Sequence, residues 1–146
     1  EVRAALDDLV GRRVARTATP EHVRDLRERI ERMERAAEKG DIDAYAAANL
    51  EFHDRLVELT GNRKLLTTYR RLVNELNLYR RATLAQSGTL PVSTREHREI
   101  VDRIAAGQGA AAGRALHDHA MASRERMHRT RAGSRSPTQS SSRKPR

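Results

Sequence analysis

Apolar side chains recur along the chain at the spacing of an α-helix, in six segments separated by short breaks. No segment alternates apolar and polar residues over the length of a strand. The pattern predicts an all-α fold, an antiparallel bundle of about six helices joined by short connections. Representative apolar residues of the six stripes, in chain order, are Leu6, Leu26, Leu56, Leu72, Ile100 and Leu116.

Residues that favour the start of a helix stand before the second, third and fourth stripes. Thr19 precedes Pro20, and proline is favoured at the first position of a helix. Asp41 and Asn62 each stand where an N-cap side chain is needed. We therefore expect three helices, over residues 20–40, 41–61 and 62 to about 85.

A loop is predicted between the fourth and fifth stripes, from Gln86 to Pro91. After it, Ser93 and Glu96 have the spacing of a capping box, in which two side chains cover the free N–H groups of a helix start. The fifth helix is therefore expected to begin at Ser93 and to end near Gly107.

The C-terminal residues have a different composition from the rest. Residues 132–146 are rich in Ser, Arg and Pro and show no apolar period, which is typical of disorder. We expect one helical domain over 1–131, followed by a disordered basic tail over 132–146. The first apolar stripe begins at Val2, without a lead-in, which suggests that the sequence continues a longer protein.

Composition narrows the classes of protein that the chain could be. It contains no cysteine, so a thiolate metal site and a disulfide framework are both excluded. No apolar run is long enough to cross a membrane and no signal peptide is visible, so we expect a soluble cytoplasmic protein with no membrane partner.

The net charge of +9 comes mostly from one end of the chain. Eight basic residues and one acid lie within 120–146, so the remainder is nearly balanced. A solvated helix end and tail accounts for this distribution. The alternative is an arm that binds nucleic acid.

Three of the six histidines fall on the apolar stripes of three different helices. They are His53, His97 and His119, and Asn49 lies one helical turn before His53 on the same face. A single inward histidine is usually a core residue with a hydrogen-bond partner. Three of them, together with an inward amide, make a shared metal site a hypothesis, and core histidines with hydrogen-bond partners are the alternative. The other three histidines lie at stripe edges or on opposite faces: His22, His117 and His128.

The ligand types restrict which metal such a site would hold. Imidazole suits Zn, Ni, Fe, Co or Cu, and the predicted site offers too few oxygens for Ca or Mg. Three imidazoles and one amide oxygen would leave coordination positions open, which is typical of sites that bind a further molecule.

These residues resemble a known family, the C-terminal ligand-binding domain (FCD) of GntR-type transcriptional regulators of the FadR subfamily. The resemblance covers about residues 1–130 and includes the opening Glu1-Val2-Arg3, the segment Ser93-x2-Glu96-His97-x2-Ile100 and His119. Its most extended motif is Gly40-Asp41-x3-Tyr45-x3-Asn49-x2-Phe52-His53-x2-Leu56-x4-Gly61-Asn62-x2-Leu65.

The resemblance implies an antiparallel helical bundle that holds a divalent metal through an Asp or Asn and three His. Carried over by position, the ligands are Asn49, His53, His97 and His119. Zinc is the first choice of metal, with nickel, iron, cobalt and manganese as alternatives. The family also implies a small organic acid as effector, a homodimer, and DNA binding through an N-terminal winged helix-turn-helix that these residues do not include.

Two departures from the family pattern bear on this site. The first ligand is Asn49, where many relatives have Asp, and a neutral ligand leaves more positive charge for an anionic effector. The usual Asp before the last helix is replaced by Gln108-Gly109, so that end is expected to fray.

Arginines near the end of the fourth helix are candidates for binding the carboxylate of an effector, because a guanidinium offers two parallel donors. They are Arg80 and Arg81, with Tyr69 and Tyr79 beside them on the same helix. The alternative is an exposed arginine pair at a helix end.

Three functions compete at this point. The first is an effector-sensing and dimerisation module that is not an enzyme. The second is a metal-dependent enzyme, which lacks an inward carboxylate to act as a base, because Glu51, Asp54 and Glu58 lie off the stripe. The third is a bundle that binds nucleic acid through its basic end.

Overall fold

The computed structural model describes residues 1–86 and 88–133, apart from the side chains of residues 77–80 and 130–133. Most of the predicted tail, residues 134–146, lies outside the described residues. Positions 132 and 133, which were predicted to belong to the tail, lie in the last helix, and the domain boundary stays a prediction.

Six α-helices make up the described part of the chain, which contains no strand, so the predicted all-α bundle is confirmed. Within these residues, no helix combines the length and the apolar character that a membrane span requires. The helices are α1 (Val2–Thr17), α2 (Pro20–Glu38), α3 (Ile42–Glu58), α4 (Arg63–Leu84), α5 (Thr89–Ala105) and α6 (Gly109–Gly133).

Three helices begin where the sequence predicts them. The backbone N–H of His22 donates to Thr19 Oγ1 at the start of α2, and the Thr19 N–H donates to His22 Nδ1, both at 3.2 Å. Asp41 and Asn62 accept from the third residue of α3 and of α4, at 2.9 and 3.0 Å. Each cap satisfies a backbone donor that has no partner within its helix.

The predicted start of α5 is wrong. The helix begins directly after Gly88, which has a φ of +75°, so the last three positions of the predicted loop, 89–91, are helical. Pro91 is tolerated because the first N–H groups of a helix have no intrahelical partner to lose. Ser93 and Glu96 consequently lie inside the helix and form no capping box.

The bundle places α1 against α6, α2 against α3 and α5, and α3 against α4 as well. Gly11 allows the close approach of α1 and α6, because a Cβ atom there would lie 2.6 Å from the backbone carbonyl of Ala112. At the start of α6 the backbone N–H of Ala112 donates to Gln108 O at 2.8 Å. This arrangement turns the inner faces of α3, α5 and α6 toward one another.

Candidate metal centre

Three imidazoles meet at the centre of the bundle, each from a different helix. His53 comes from α3, His97 from α5 and His119 from α6, and each side chain is at most 5% exposed. One nitrogen of each ring lies within 4.8 Å of one nitrogen of both others. The ring centroid of His53 lies 5.2 Å from that of His97 and 5.2 Å from that of His119. The centroids of His97 and His119 lie 4.5 Å apart.

The shortest contact in this cluster joins His53 Nε2 to His97 Nε2, at 3.3 Å. Two nitrogens bound to one metal at 2.0–2.1 Å would lie roughly 2.9–3.4 Å apart, depending on the coordination angle. The observed separation therefore suits two ligands of one metal ion. It also suits a direct N–H···N hydrogen bond between the two rings.

The orientation of His119 is fixed by a carboxylate. His119 Nδ1 lies 2.7 Å from Glu96 Oε2. Arg126 donates to both oxygens of the same carboxylate, at 3.0 Å each. With Nδ1 held in this way, Nε2 is the nitrogen of His119 that remains to bind a metal.

The protonation states of Glu96 and His119 at neutral pH favour metal binding. Burial alone would raise the pKa of Glu96, but hydrogen bonds from His119 and Arg126 outweigh it and hold the pKa at about 2. Burial lowers the pKa of His119 below its ordinary value, against the opposing effect of Glu96. At neutral pH the arrangement therefore favours a carboxylate beside a neutral imidazole, and the neutral imidazole is the form that binds metals.

The position of the Glu96 carboxylate contradicts an expectation from the sequence. No acidic residue was expected beside the three histidines, yet Glu96 touches His119 directly. The expectation was wrong because Glu96 was assigned to a helix cap, whereas α5 begins earlier and turns this side chain toward α6.

Asn49 lies one turn before His53, and its amide oxygen is buried. Its side chain is 4% exposed, and Oδ1 has no hydrogen-bond partner among the described residues. An unpaired buried acceptor of this kind costs about 1–3 kcal/mol, so the position favours a cation or donor that the protein itself does not supply. Asn49 and His119 line the same cavity of about 20 Å³.

Arg3 lines that cavity as well and was not anticipated as a site residue. Its Nε lies 3.2 Å from Asp7 Oδ2, and the Tyr69 hydroxyl donates to Asp7 Oδ1 at 3.0 Å. Burial lowers the pKa of Arg3, but Tyr69 and Asp7 outweigh that effect and raise it, so the guanidinium stays charged. Arg3 Nη2 is buried without a hydrogen-bond partner among the described residues, which leaves a charged donor beside the cavity.

A sequence signal for Arg3 did exist. Arg3 and Asp7 are one turn apart, and they continue the helical face of Val10 and Val14, both of which are fully buried. A charged pair on the buried face of a helix is therefore the sequence pattern that could have identified Arg3 as a site residue.

The residues predicted to bind an effector are spread apart. Tyr69 is buried and donates to Asp7, as described above. Arg81 is 69% exposed and pairs with Asp43 at 2.8 Å on the outside of the bundle. The side chains of Tyr79 and Arg80 lie outside the described residues. A role in effector binding stays a prediction for all four.

The other histidines do not join the cluster. His22 takes part in the cap of α2, His117 lies 3.0 Å from Asp118 at the surface, and His128 is exposed. Their positions agree with the helical phases read from the sequence.

These observations define a class, an all-helical domain built around a buried three-histidine centre. A family profile described as the FCD domain matches residues 1–122, and the chain belongs to that family. The resemblance seen in the sequence is thus confirmed.

Two relatives illustrate the family. The chain is 33% identical over 124 residues to a probable D-xylose utilization operon transcriptional repressor of Paenarthrobacter nicotinovorans, an alignment that covers 83% of this chain and 53% of the relative. The structure of Streptococcus agalactiae GntR shares the fold with a TM-score of 0.73 at 23% identity, covering 85% of this chain and 55% of the other. The chain thus spans about half the length of the proteins it matches.

Proposed function

We propose that this chain is the sensing domain of a transcriptional regulator and that it binds a divalent metal through Asn49, His53, His97 and His119. The observation that carries the proposal is the meeting of three buried imidazoles from three helices, with nitrogens within 4.8 Å of one another. The amide oxygen of Asn49, buried without a partner among the described residues, fits the same ligand set. Zinc suits these ligands best, and nickel, iron, cobalt and manganese are the alternatives.

The effector in this proposal is a small organic acid that binds beside the metal. A metal held by neutral ligands keeps its full positive charge, which favours an anion in the open positions. Arg3 adds a second positive group in the wall of the same cavity. A carboxylate between the two would pair Arg3 Nη2, which has no hydrogen-bond partner among the described residues.

The consequence for gene regulation belongs to a longer protein. The matched relatives are about twice as long as the aligned region, and one of them is named a transcriptional repressor. We propose that the full protein acts in the cytoplasm as a homodimer whose DNA-binding part lies outside these residues. The effector would favour one arrangement of the helices and thereby shift the populations of DNA-binding states.

An enzyme is the second candidate, since a carboxylate does lie beside the histidines. A general base works best with a pKa near neutrality, and Glu96, with its pKa of about 2 and its two bonds to Arg126, is far from that condition. The arrangement therefore favours binding over catalysis.

Calorimetry on the metal-stripped chain tests the proposal in two stages. Zn²⁺ should bind with one site per chain, and a panel of small carboxylates should then bind only the metal-loaded form. Arg3→Gln should weaken carboxylate binding about tenfold or more, because the charge-assisted bonds are lost. Arg13→Gln, on the exposed face of the same helix, is the matched control.

Absence of saturable Zn²⁺ binding would overturn the metal site. Carboxylate binding that is the same with and without metal would overturn the sensing mechanism. Turnover of a bound acid by the metal-loaded chain would favour the enzyme instead.

A further inference from the structure

A buried carboxylate links α1 to α4. Asp7 of α1 is 1% exposed, and Tyr69 of α4 is 2% exposed. The Tyr69 hydroxyl donates to Asp7 Oδ1 at 3.0 Å, and Asp7 Oδ2 forms an ion pair with Arg3 Nε at 3.2 Å, one turn earlier on α1. Asp7 thus joins Arg3, a residue of the cavity wall beside the metal centre, to a tyrosine of another helix.

Stability alone does not require charges at this place. The same face of α1 continues with Val10 and Val14, which are fully buried. The lost hydration of two buried charges offsets much of their attraction, and replacing such a pair by apolar residues of similar size is often neutral or stabilising. The charged pair of Arg3 and Asp7 therefore indicates a task besides packing.

The shape of a guanidinium suggests what that task is. Its N–H donors are fixed in one plane, so a contact at Nε sets the direction of the others. With Nε at Asp7, the Nη2 of Arg3 is buried and has no hydrogen-bond partner among the described residues. Arg3 lines the same cavity as Asn49 and His119. The ion pair with Asp7 therefore sets where an anion beside the metal centre would meet this donor.

Tyr69 fixes the position of Asp7 in turn. A hydrogen bond from a different helix holds the Asp7 carboxylate relative to α4, which its own helix cannot do. Among the described residues that line the cavity, α4 contributes Thr83 and Leu84, and Tyr69 is not one of them. An effect of Tyr69 on a ligand in this cavity would therefore pass through Asp7 and Arg3.

From this geometry we propose that Asp7 and Tyr69 are positioning residues, which direct the guanidinium of Arg3 toward an anion bound beside the metal centre. The inference rests on the proposed function, because it concerns the regulation of the same site. Coupling between two equilibria is reciprocal. An anion that binds Arg3 in this orientation therefore strengthens the contact between α1 and α4 in return.

Removing a single hydroxyl tests the positioning role. Tyr69→Phe keeps the ring and all charges and removes the hydrogen bond to Asp7. Calorimetry on the Zn²⁺-loaded native chain compares acetate, lactate, succinate and citrate, and the acid that binds most tightly is the probe for the variants. Tyr69→Phe should weaken binding of this probe about threefold or more, while Zn²⁺ affinity stays unchanged.

Two further measurements separate positioning from a general loss of stability. In the Arg3→Gln background, Tyr69→Phe should weaken the probe no further, because a residue that acts through Arg3 has nothing left to position. The Nε–H resonance of Arg3 in ¹⁵N NMR, assigned by its loss in Arg3→Gln, should exchange with water about threefold or more faster in Tyr69→Phe. Thr60→Val, which removes a buried hydroxyl between α3 and α4, is the matched control and should change neither quantity.

The outcomes distinguish this inference from the proposed function. If the probe binds in an Arg3-dependent manner and Tyr69→Phe binds it as tightly as the native chain, the positioning role is wrong and the proposed function stands. The same holds if Tyr69→Phe causes an equal loss in the Arg3→Gln background, or if Thr60→Val causes the same loss. If no carboxylate binds the Zn²⁺-loaded native chain, the proposed function fails and the inference fails with it.

Discussion

At the scale of single residues, the centre depends on which nitrogen of each imidazole faces the others. Glu96 decides this for His119 by accepting from Nδ1, and Arg126 in turn holds Glu96 in place. His53 and His97 face each other through their Nε2 atoms at 3.3 Å. In the proposed metal site, the partners around the histidines therefore matter as much as the histidines themselves.

The two neighbouring histidines of α6 give a direct comparison. We expect His119→Ala to weaken Zn²⁺ binding by more than about a hundredfold, because a ligand contributes more than its outer partners do. His117→Ala should leave the affinity unchanged, since His117 lies at the surface beside Asp118. Calorimetric titration of both variants measures this, and equal losses would mean that His119 is not a ligand.

Glu96 provides a second comparison. Glu96→Gln keeps the shape of the side chain and removes its charge, so we expect Zn²⁺ affinity to fall about 10–100-fold. Glu99→Gln, an exposed residue on the same helix, should have no effect. An unchanged affinity in Glu96→Gln would mean that this carboxylate does not orient the ligand.

The histidines and Asn49 could be predicted from the sequence because each continues an apolar stripe of its own helix. Arg3 and Arg126 were missed because charged residues are normally read as facing water, and Glu96 was missed because it was assigned to a helix cap. Arg126 lies seven residues after His119, on the same helical face, but only the packing of α5 against α6 reveals its partner. Pairs of this kind depend on tertiary contacts that a local pattern does not contain.

At the scale of elements, the helix ends were predictable wherever one side chain made the cap. Thr19, Asp41 and Asn62 each accept a bond from a nearby backbone N–H, so local chemistry determines those starts. The start of α5 has no side-chain cap and depends on the positive φ of Gly88. A competing capping pattern at Ser93 therefore gave the wrong boundary.

The contact between α1 and α6 is tight enough to test. In Gly11→Ala the new methyl group would lie 2.6 Å from the Ala112 carbonyl, so the two helices must separate. We expect a loss of about 1–3 kcal/mol in the free energy of unfolding, although alanine normally stabilises a helix by roughly 0.5–1 kcal/mol over glycine.

Urea denaturation measures this loss. Gly109→Ala is the graded control, because its methyl group would approach Arg12 O no closer than 3.2 Å. A smaller effect is expected there. If Gly11→Ala were as stable as the native chain, the packing of α1 on α6 would be looser than described.

At the scale of the whole molecule, the fold class followed from helical periodicity alone, and the family follows from the match over residues 1–122. The domain boundary near 131 stays a prediction, because residues 134–146 lie outside the described residues. Composition is the reason to expect that they add nothing to the bundle. A segment without apolar residues cannot offset the cost of ordering its backbone, about 1–2 kcal/mol per residue.

Removing residues 134–146 tests that boundary. We expect the melting temperature and the Zn²⁺ content to stay the same, while salt-sensitive binding to polyanions weakens because four basic residues are lost. Thermal melts of the full and shortened chains measure the effect. A fall of more than about 3 °C would mean that these residues pack on the bundle.

The central claim is that His53, His97, His119 and Asn49 hold one metal ion. X-ray absorption at the zinc edge of the Zn²⁺-loaded chain tests it most directly. The account predicts three imidazoles and oxygen ligands at about 2.0–2.2 Å, with one imidazole fewer in His53→Ala. A shell that contains oxygen alone, or one that His53→Ala leaves unchanged, would contradict it.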